Sequence, residues 1–233
     1  MSIAQTIADE IGRRIIRGDL EPGQQALVEN DLVTEFGASR NIVREAVKTL
    51  AAKNLIRSQR RNGTFVELPE KWNLLDPQVL TWMLSEDNTR DALLTSLSEM
   101  RRIFEPEAAA LAAERASPRQ VLEILECYDS MEKYANDPKR AIEFDVRFHG
   151  AVLEACGNPL LRSFNESISM LLRANFNLSI QVDNAFIRNL EEHRIIAEAI
   201  RGGDPDRARA ASIELLSKNE NDIKKMHAME LER

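Results

Sequence analysis

No stretch of this chain approaches the roughly 18 consecutive apolar residues that a membrane-spanning helix needs. The N-terminus also lacks a basic segment followed by an apolar one, the pattern of a secretory leader. A cytoplasmic protein with no membrane partner is therefore expected. Only two cysteines are present, Cys127 and Cys156, both within apolar patterns of helical period. That is too few for a disulfide framework, and they read as reduced core thiols. No strand candidate follows residue 70, and neither an internal repeat nor a low-complexity segment occurs.

Positive charge is also missing from the sum, which is −7 over 233 residues and argues at first sight against a nucleic-acid partner. The sum conceals an asymmetry. Residues 1–66 hold ten Lys and Arg against eight Asp and Glu, whereas the remainder holds 21 against 30. A locally basic face can bind phosphate on an acidic protein, so the overall charge excludes nothing here.

What is present is a strong helical period. Ile3, Ile7, Ile11 and Ile15 recur every four residues, and the turn formers Gly18-Asp19-Leu20-Glu21-Pro22-Gly23 end that helix. A short helix is expected from about Val28 to Phe36, stopped by Gly37. Ser39 then caps a third, with Ile42, Val43, Ala46, Val47 and Leu50 on one face. Leu55–Arg60 and Thr64–Val66 read as two strands around Arg61-Asn62-Gly63. Residues 69–76 read as a linker, with Trp72 and Trp82 expected to pack the domain junction. Helices are expected at about 77–85, 89–115, 117–135, 138–156, 158–181, 185–201 and 205–226, with a kink at Pro106. The resulting fold class is mostly α, with an N-terminal winged helix-turn-helix over 1–68 and an all-helical domain over 77–233.

Three helices and a two-stranded wing place the third helix in a DNA major groove, whose width admits one helix. Arg40 and Arg44 lie four apart on one face, and Arg is suited to bidentate contact with guanine or phosphate. Ser39 and Asn41 offer short polar groups, and Ile42 completes the first turn. Arg60 and Arg61 at the wing tip can reach an adjacent groove, with Gly63 allowing close backbone approach. Arg40 and Arg44 taken alone fit a solvated helix face equally well.

The run Gly18-Asp19-Leu20-x-Pro22-Gly23, then Glu29-x-x-Leu32, Ser39-Arg40-Asn41-Ile42-Val43-Arg44-Glu45-Ala46-x-x-x-Leu50 and Gly63-Thr64-Phe65-Val66 resembles the DNA-binding domain of the GntR family. Ala26-Leu27-Val28 departs from the family's usual Leu-Pro-Ser, and Asn30 stands where an Arg is common. The resemblance implies a dimer that binds double-stranded operator DNA.

The later domain holds Asp145 and His149 four apart on one helix face, and His193 in another amphipathic segment. Asp and His on facing helices suit a divalent cation such as zinc, nickel or manganese. A surface ion pair beside an unrelated histidine is the plainer alternative. About residues 76–225 resemble the FCD effector domain of the FadR branch, an antiparallel helical bundle around a ligand cavity. That resemblance implies that Asp145, His149 and His193 are metal ligands. Leu215 occupies the position of the family's usual third histidine, so positions on the metal are left for water or a chelating ligand, and Asn219 lies one turn on. Arg101 matches the arginine the family places near its cavity, and Arg173 is a second candidate for binding an anionic effector. The segment from Trp72 to Leu84 is similar to the linker of the sugar-acid members, which implies a small organic acid, a sugar acid, as effector. Two competing functions are a constitutive architectural DNA-binding dimer and a metal-dependent hydrolase, although no nucleophile or general base with motif spacing accompanies the latter.

Overall fold

The computed structural model describes residues 2–23, 25–27, 29–59, 63–179 and 189–231, and the chain divides into two compact units, Met1–Leu93 and Leu94–Arg233.

The first unit opens with α1 (Ile3–Arg17). Ser2 caps it in a reciprocal box with Gln5, and Gly18 ends it in the left-handed conformation at φ 92°. Then come β1 (Gln25–Leu27), α2 (Glu29–Phe36) and α3 (Arg40–Ala52). The wing follows as β2 (Ile56–Gln59) and β3 (Gly63–Val66), which pair antiparallel in the register Ile56↔Val66 to Gln59↔Gly63. Gly63 has φ 91°, the left-handed conformation glycine tolerates best. The expected hairpin is present, but the sheet has three strands in the order β1-β3-β2. Burial of Ile7, Ile11, Ile15, Leu32, Val43, Ala46, Leu50 and Leu55 closes the core.

The linker expected at 69–76 and the unit boundary at Leu93 do not coincide, and Trp82 is the physical reason. It lies on α4 (Pro77–Ser85), is fully buried, and belongs to the N-terminal core. Its indole rests on Gly12, where a Cβ would stand 2.4 Å from the ring, and its Nε1–H donates to Asp9 Oδ1 at 2.7 Å. Lys53 pairs with Asp76 at 2.7 Å, and Trp72 donates to the Glu67 carbonyl. Both tryptophans thus pack into the first unit.

The long helix α5 (Asp87–Arg115) runs unbroken through Pro106. The second unit continues with α6 (Pro118–Lys133), α7 (Pro138–Ala155), α8 (Pro159–Ser163), α9 (Asn165–Ser179), α10 (Leu190–Gly202) and α11 (Pro205–Leu231). Proline at the first turn behind Ser117, Asp137 and Asn158 starts three of them, as the sequence predicts. One helix expected over 158–181 is two, because the chain turns at Phe164. Short turns make consecutive helices antiparallel, with α6 on α7, α10 on α11, and α9 on α7. Small residues (Ala109, Ala112, Ala197, Ala199, Ala208) let these helices approach around Phe148, Ile196 and Leu215. Cys127 and Cys156 are free and buried. No described helix is long and apolar enough to cross a membrane.

Candidate functional site

On α3 the Ser39 side chain accepts from the Ile42 amide and so sets the start of the helix. Arg40, Asn41 and Arg44 are exposed on it, while Val43, Ala46 and Leu50 are buried on the opposite face. Ile42 is half-buried against the core rather than presented with them. Arg44 forms an exposed pair with Glu29 at 3.0 Å, which ties the first turn of α2 to α3. An exposed pair of this kind is worth about 0–1 kcal/mol, so it leaves Arg44 available for phosphate or base. Gly63 is exposed at the start of β3; Arg60 and Arg61 lie outside the described residues.

In the second unit three helices converge on buried polar groups. Asp145 and His149 project from one face of α7 and His193 from the first turn of α10, all more than nine-tenths buried. Their ligand atoms lie within 4.8 Å of one another. Asp145 Oδ1 is 3.0 Å from His193 Nε2, and Asp145 Oδ2 is 3.6 Å from His149 Nε2. Phe148 sits edge-on to both imidazoles, with centroids 5.8 and 5.1 Å away, and shields them on the core side.

Hydrogen bonding fixes the proton positions. His193 Nδ1 lies 2.6 Å from the Asn189 carbonyl, which can only accept, so Nδ1 carries a proton, and in the neutral ring Nε2 is the bare nitrogen that a metal would need. Nε2 faces the Asp145 carboxylate at 3.0 Å, to which the neutral ring has nothing to donate and the imidazolium would donate. Among the described residues, His193 Nε2 and Asp145 Oδ2 are buried side-chain atoms with no hydrogen-bond partner. Orphaned buried acceptors are costly, on the order of 1–3 kcal/mol each, and a cation between them would satisfy both. The donor set, two imidazole nitrogens and a carboxylate, suits a divalent transition metal. The residues therefore fit a metal ion.

From α5, Arg101 and Glu105 complete the cluster. Arg101 is 2% exposed and donates to Glu105 at 2.5 and 3.3 Å and to His149 Nε2 at 3.3 Å. Burial alone would raise the Glu105 carboxyl, but Arg101 and then His149 hold it down to about 2. Burial would likewise raise Asp145, and the two imidazoles with Arg101 hold it below its ordinary value. Beside Glu105 and His149 lies a small cavity of about 10 Å³, room for little more than a water, with Ser212 as its other polar wall.

The remaining expected residues divide. Leu215 is fully buried in the cluster that includes Phe148. Asn219 bonds Asn189, the residue whose carbonyl holds His193. Arg173 stands apart: half-exposed, it makes a two-pronged surface pair with Glu143 at 3.1 and 3.0 Å. Glu105 is not among the residues the sequence singles out. Its one signal is the spacing Arg101-x-x-x-Glu105 on a helix that also carries the candidate arginine.

Residues 3–66 match the gntR family of bacterial regulatory proteins, and residues 96–218, more than half of the chain, match the FCD domain. The chain belongs to the gntR family. Its relatives include the galactonate operon transcriptional repressor of Escherichia coli (strain K12), 36% identical over 93% of this chain and 94% of that one. The putative L-lactate dehydrogenase operon regulatory protein of the same organism is 30% identical over 92% and 84%. Among solved structures, a Streptococcus agalactiae GntR protein is similar with 26% identity and a TM-score of 0.52, over 92% of this chain and 97% of that one. The Lar protein of Listeria monocytogenes shares the fold, with 18% identity, a TM-score of 0.66 and coverage of 97% and 98%. This gntR-family chain is a transcription regulator and not an enzyme: a DNA-reading winged helix joined to an FCD domain, the arrangement of ligand-controlled DNA binding.

Proposed function

We propose that this regulator is a cytoplasmic homodimeric repressor that releases its operator when a sugar acid binds beside a divalent metal ion, zinc, nickel or manganese, held by Asp145, His149 and His193. The observation that carries this reading is the buried donor set Asp145, His149 and His193 on two helices, in which Asp145 Oδ2 and His193 Nε2 have no hydrogen-bond partner. A structural bundle that served only to dimerise would gain nothing from leaving them so. Metal bound there supplies positive charge and open positions for a chelating carboxylate and hydroxyl. Arg101 is a buried cation 3.3 Å from the His149 imidazole, and it adds the second charge an acid anion needs; Asn219, through Asn189, borders the same helix turn. The choice of a sugar acid follows the galactonate operon repressor, the relative with 36% identity.

On the DNA side Arg40, Asn41 and Arg44, exposed on α3 behind its Ser39 cap, are the reading residues, with Gly63, Arg60 and Arg61 assigned to the wing from sequence. A dimer sets two such faces on successive major grooves of a near-palindromic site. Effector changes affinity only by binding the two conformational states unequally.

Elemental analysis and native mass spectrometry of the purified full chain test the reading together with thermal melts across a panel of sugar acids. Bound metal, a dimer mass and a melt raised by an acid only when metal is present are the expected results. Metal-free protein that takes up no added zinc, or melts indifferent to every acid, would overturn it.

A further inference from the structure

Glu105 has a place in the cluster that the metal ligands alone do not explain. Its Oε1 receives Arg101 at 2.5 Å, while Oε2 lies 3.2 Å from His149 Nδ1. A carboxylate paired with a guanidinium at that distance is an acceptor, so the proton on the line to Oε2 belongs to His149 Nδ1. The other ring nitrogen gives the same answer independently. Arg101 Nη2 stands 3.3 Å from His149 Nε2, and a guanidinium can only donate, so Nε2 must be a bare acceptor. Two neighbours on α5, one that only accepts and one that only donates, thus impose a single tautomer on a histidine of α7.

We infer that Glu105 is a positioning residue of the metal centre, which by accepting from His149 Nδ1 fixes the imidazole's tautomer and turns Nε2 toward Asp145 and the metal. The inference rests on the metal reading under Proposed function. The physical need is plain. A neutral imidazole ligates only through the nitrogen without a proton, and outer-sphere acceptors hold the ring in that form and orientation. His193 meets the need with a backbone carbonyl, at 2.6 Å. His149 has a side chain instead, one that is 6% exposed and held by a buried arginine on the same helix. With Leu215 in place of a third histidine, the tautomers of both imidazoles weigh more heavily on the site. Arg101 Nη2 lies 3.3 Å from His149 Nε2, and an ion held at that nitrogen would leave this N–H for an anion.

The test separates positioning from mere charge neutralisation. Arg101→Met removes the buried cation, and in that background Glu105→Gln keeps an acceptor for His149 Nδ1 whereas Glu105→Leu does not. The chain has only three histidines, so long-range proton–nitrogen NMR of the metal-free full chain resolves each tautomer. The expected result is an Nδ1–H form of His149 in the wild type and the Gln double variant, lost in the Leu double variant. Zinc affinity, read by competition with a chelator, should fall about 10- to 100-fold from the Gln to the Leu variant. Equal affinity and an unchanged tautomer in two folded double variants would overturn the inference, leaving Glu105 as a counter-ion only. If neither double variant folds, the wild-type spectrum decides: an Nε2–H form of His149 overturns it. A tautomer that follows Glu105 in a protein that binds no zinc would overturn the metal reading and leave the hold of Glu105 on His149 standing.

Discussion

Replacing Leu215 by histidine asks whether that position, where the sequence resemblance implies a further ligand, faces the Asp145–His149–His193 cluster in this chain. Leu215 is fully buried beside Phe148, whose ring lies against both histidines. Removing the leucine forgoes about 1.5–3 kcal/mol of apolar burial. An imidazole left there without a partner adds about 1–3 kcal/mol of desolvation. Metal-free protein should therefore lose about 2.5–6 kcal/mol in the second unit, a fall in Tm of roughly 5–24 °C at about 2–4 °C per kcal/mol. Zinc should restore part of it: at about 100 times its Kd a ligand stabilises the folded state by ~2.7 kcal/mol, or roughly 5–11 °C.

The assay is thermal unfolding of the full chain, first with EDTA and then with graded zinc. An internal control is built in. Both tryptophans pack in the first unit, so their fluorescence follows that unit, while far-UV circular dichroism is dominated by the helices of the second. Leu215→His should lower only the dichroism transition in EDTA, and zinc should raise it further than it raises the wild type. A variant that is destabilised but indifferent to zinc, or binds it no more tightly than the wild type, would refute the placement of Leu215 at the metal site.

Arg44→Ala should weaken binding to a cognate operator by about 1–3 kcal/mol at fixed salt if the guanidinium makes a bidentate base contact; unchanged affinity in a gel-shift titration would remove Arg44 from the reading face. Gly12→Ala places a methyl 2.4 Å from the buried Trp82 ring, and overpacking of that kind should cost about 1–3 kcal/mol in urea unfolding followed by tryptophan fluorescence. In acid, Glu105 has a folded-state value depressed from 4.5 to about 2, so its stabilisation is present above about pH 4.5 and lost as pH falls toward 2. That contribution is on the order of 3 kcal/mol. The wild type should therefore lose stability over that window more steeply than Arg101→Met/Glu105→Leu, and parallel curves by circular dichroism would contradict the assignment.

Most of the helical framework is legible in the sequence because its signals are local. Ser39, Ser117, Asp137 and Asn158 each accept from an amide two or three residues on, and Gly18 and Gly203 end helices in the left-handed conformation. What escapes the sequence is non-local. Strand β1 is three residues whose only reason to be extended is β3, about 40 positions away. Trp82 reads as part of a junction until the missing side chain of Gly12 and the carboxylate of Asp9 are seen to receive it. The break at Phe164 has neither glycine nor proline to announce it.

The candidate site divides along the same line. Asp145 and His149 are visible as a pair because they share a face of one helix, and a histidine on another helix completes a recognisable donor set. Arg101 and Glu105 have the same spacing, but an Arg–Glu pair four apart is what a solvated helix displays everywhere, where it is worth about 0.3–0.5 kcal/mol. Burial is what changes its meaning. At 2% and 6% exposure the pair can persist only if its remaining hydrogen-bonding capacity is met, and in this chain His149 meets it from α7. Spacing finds the residues that share a helix with their partners. Only packing finds those, such as Glu105, whose role is toward a different helix.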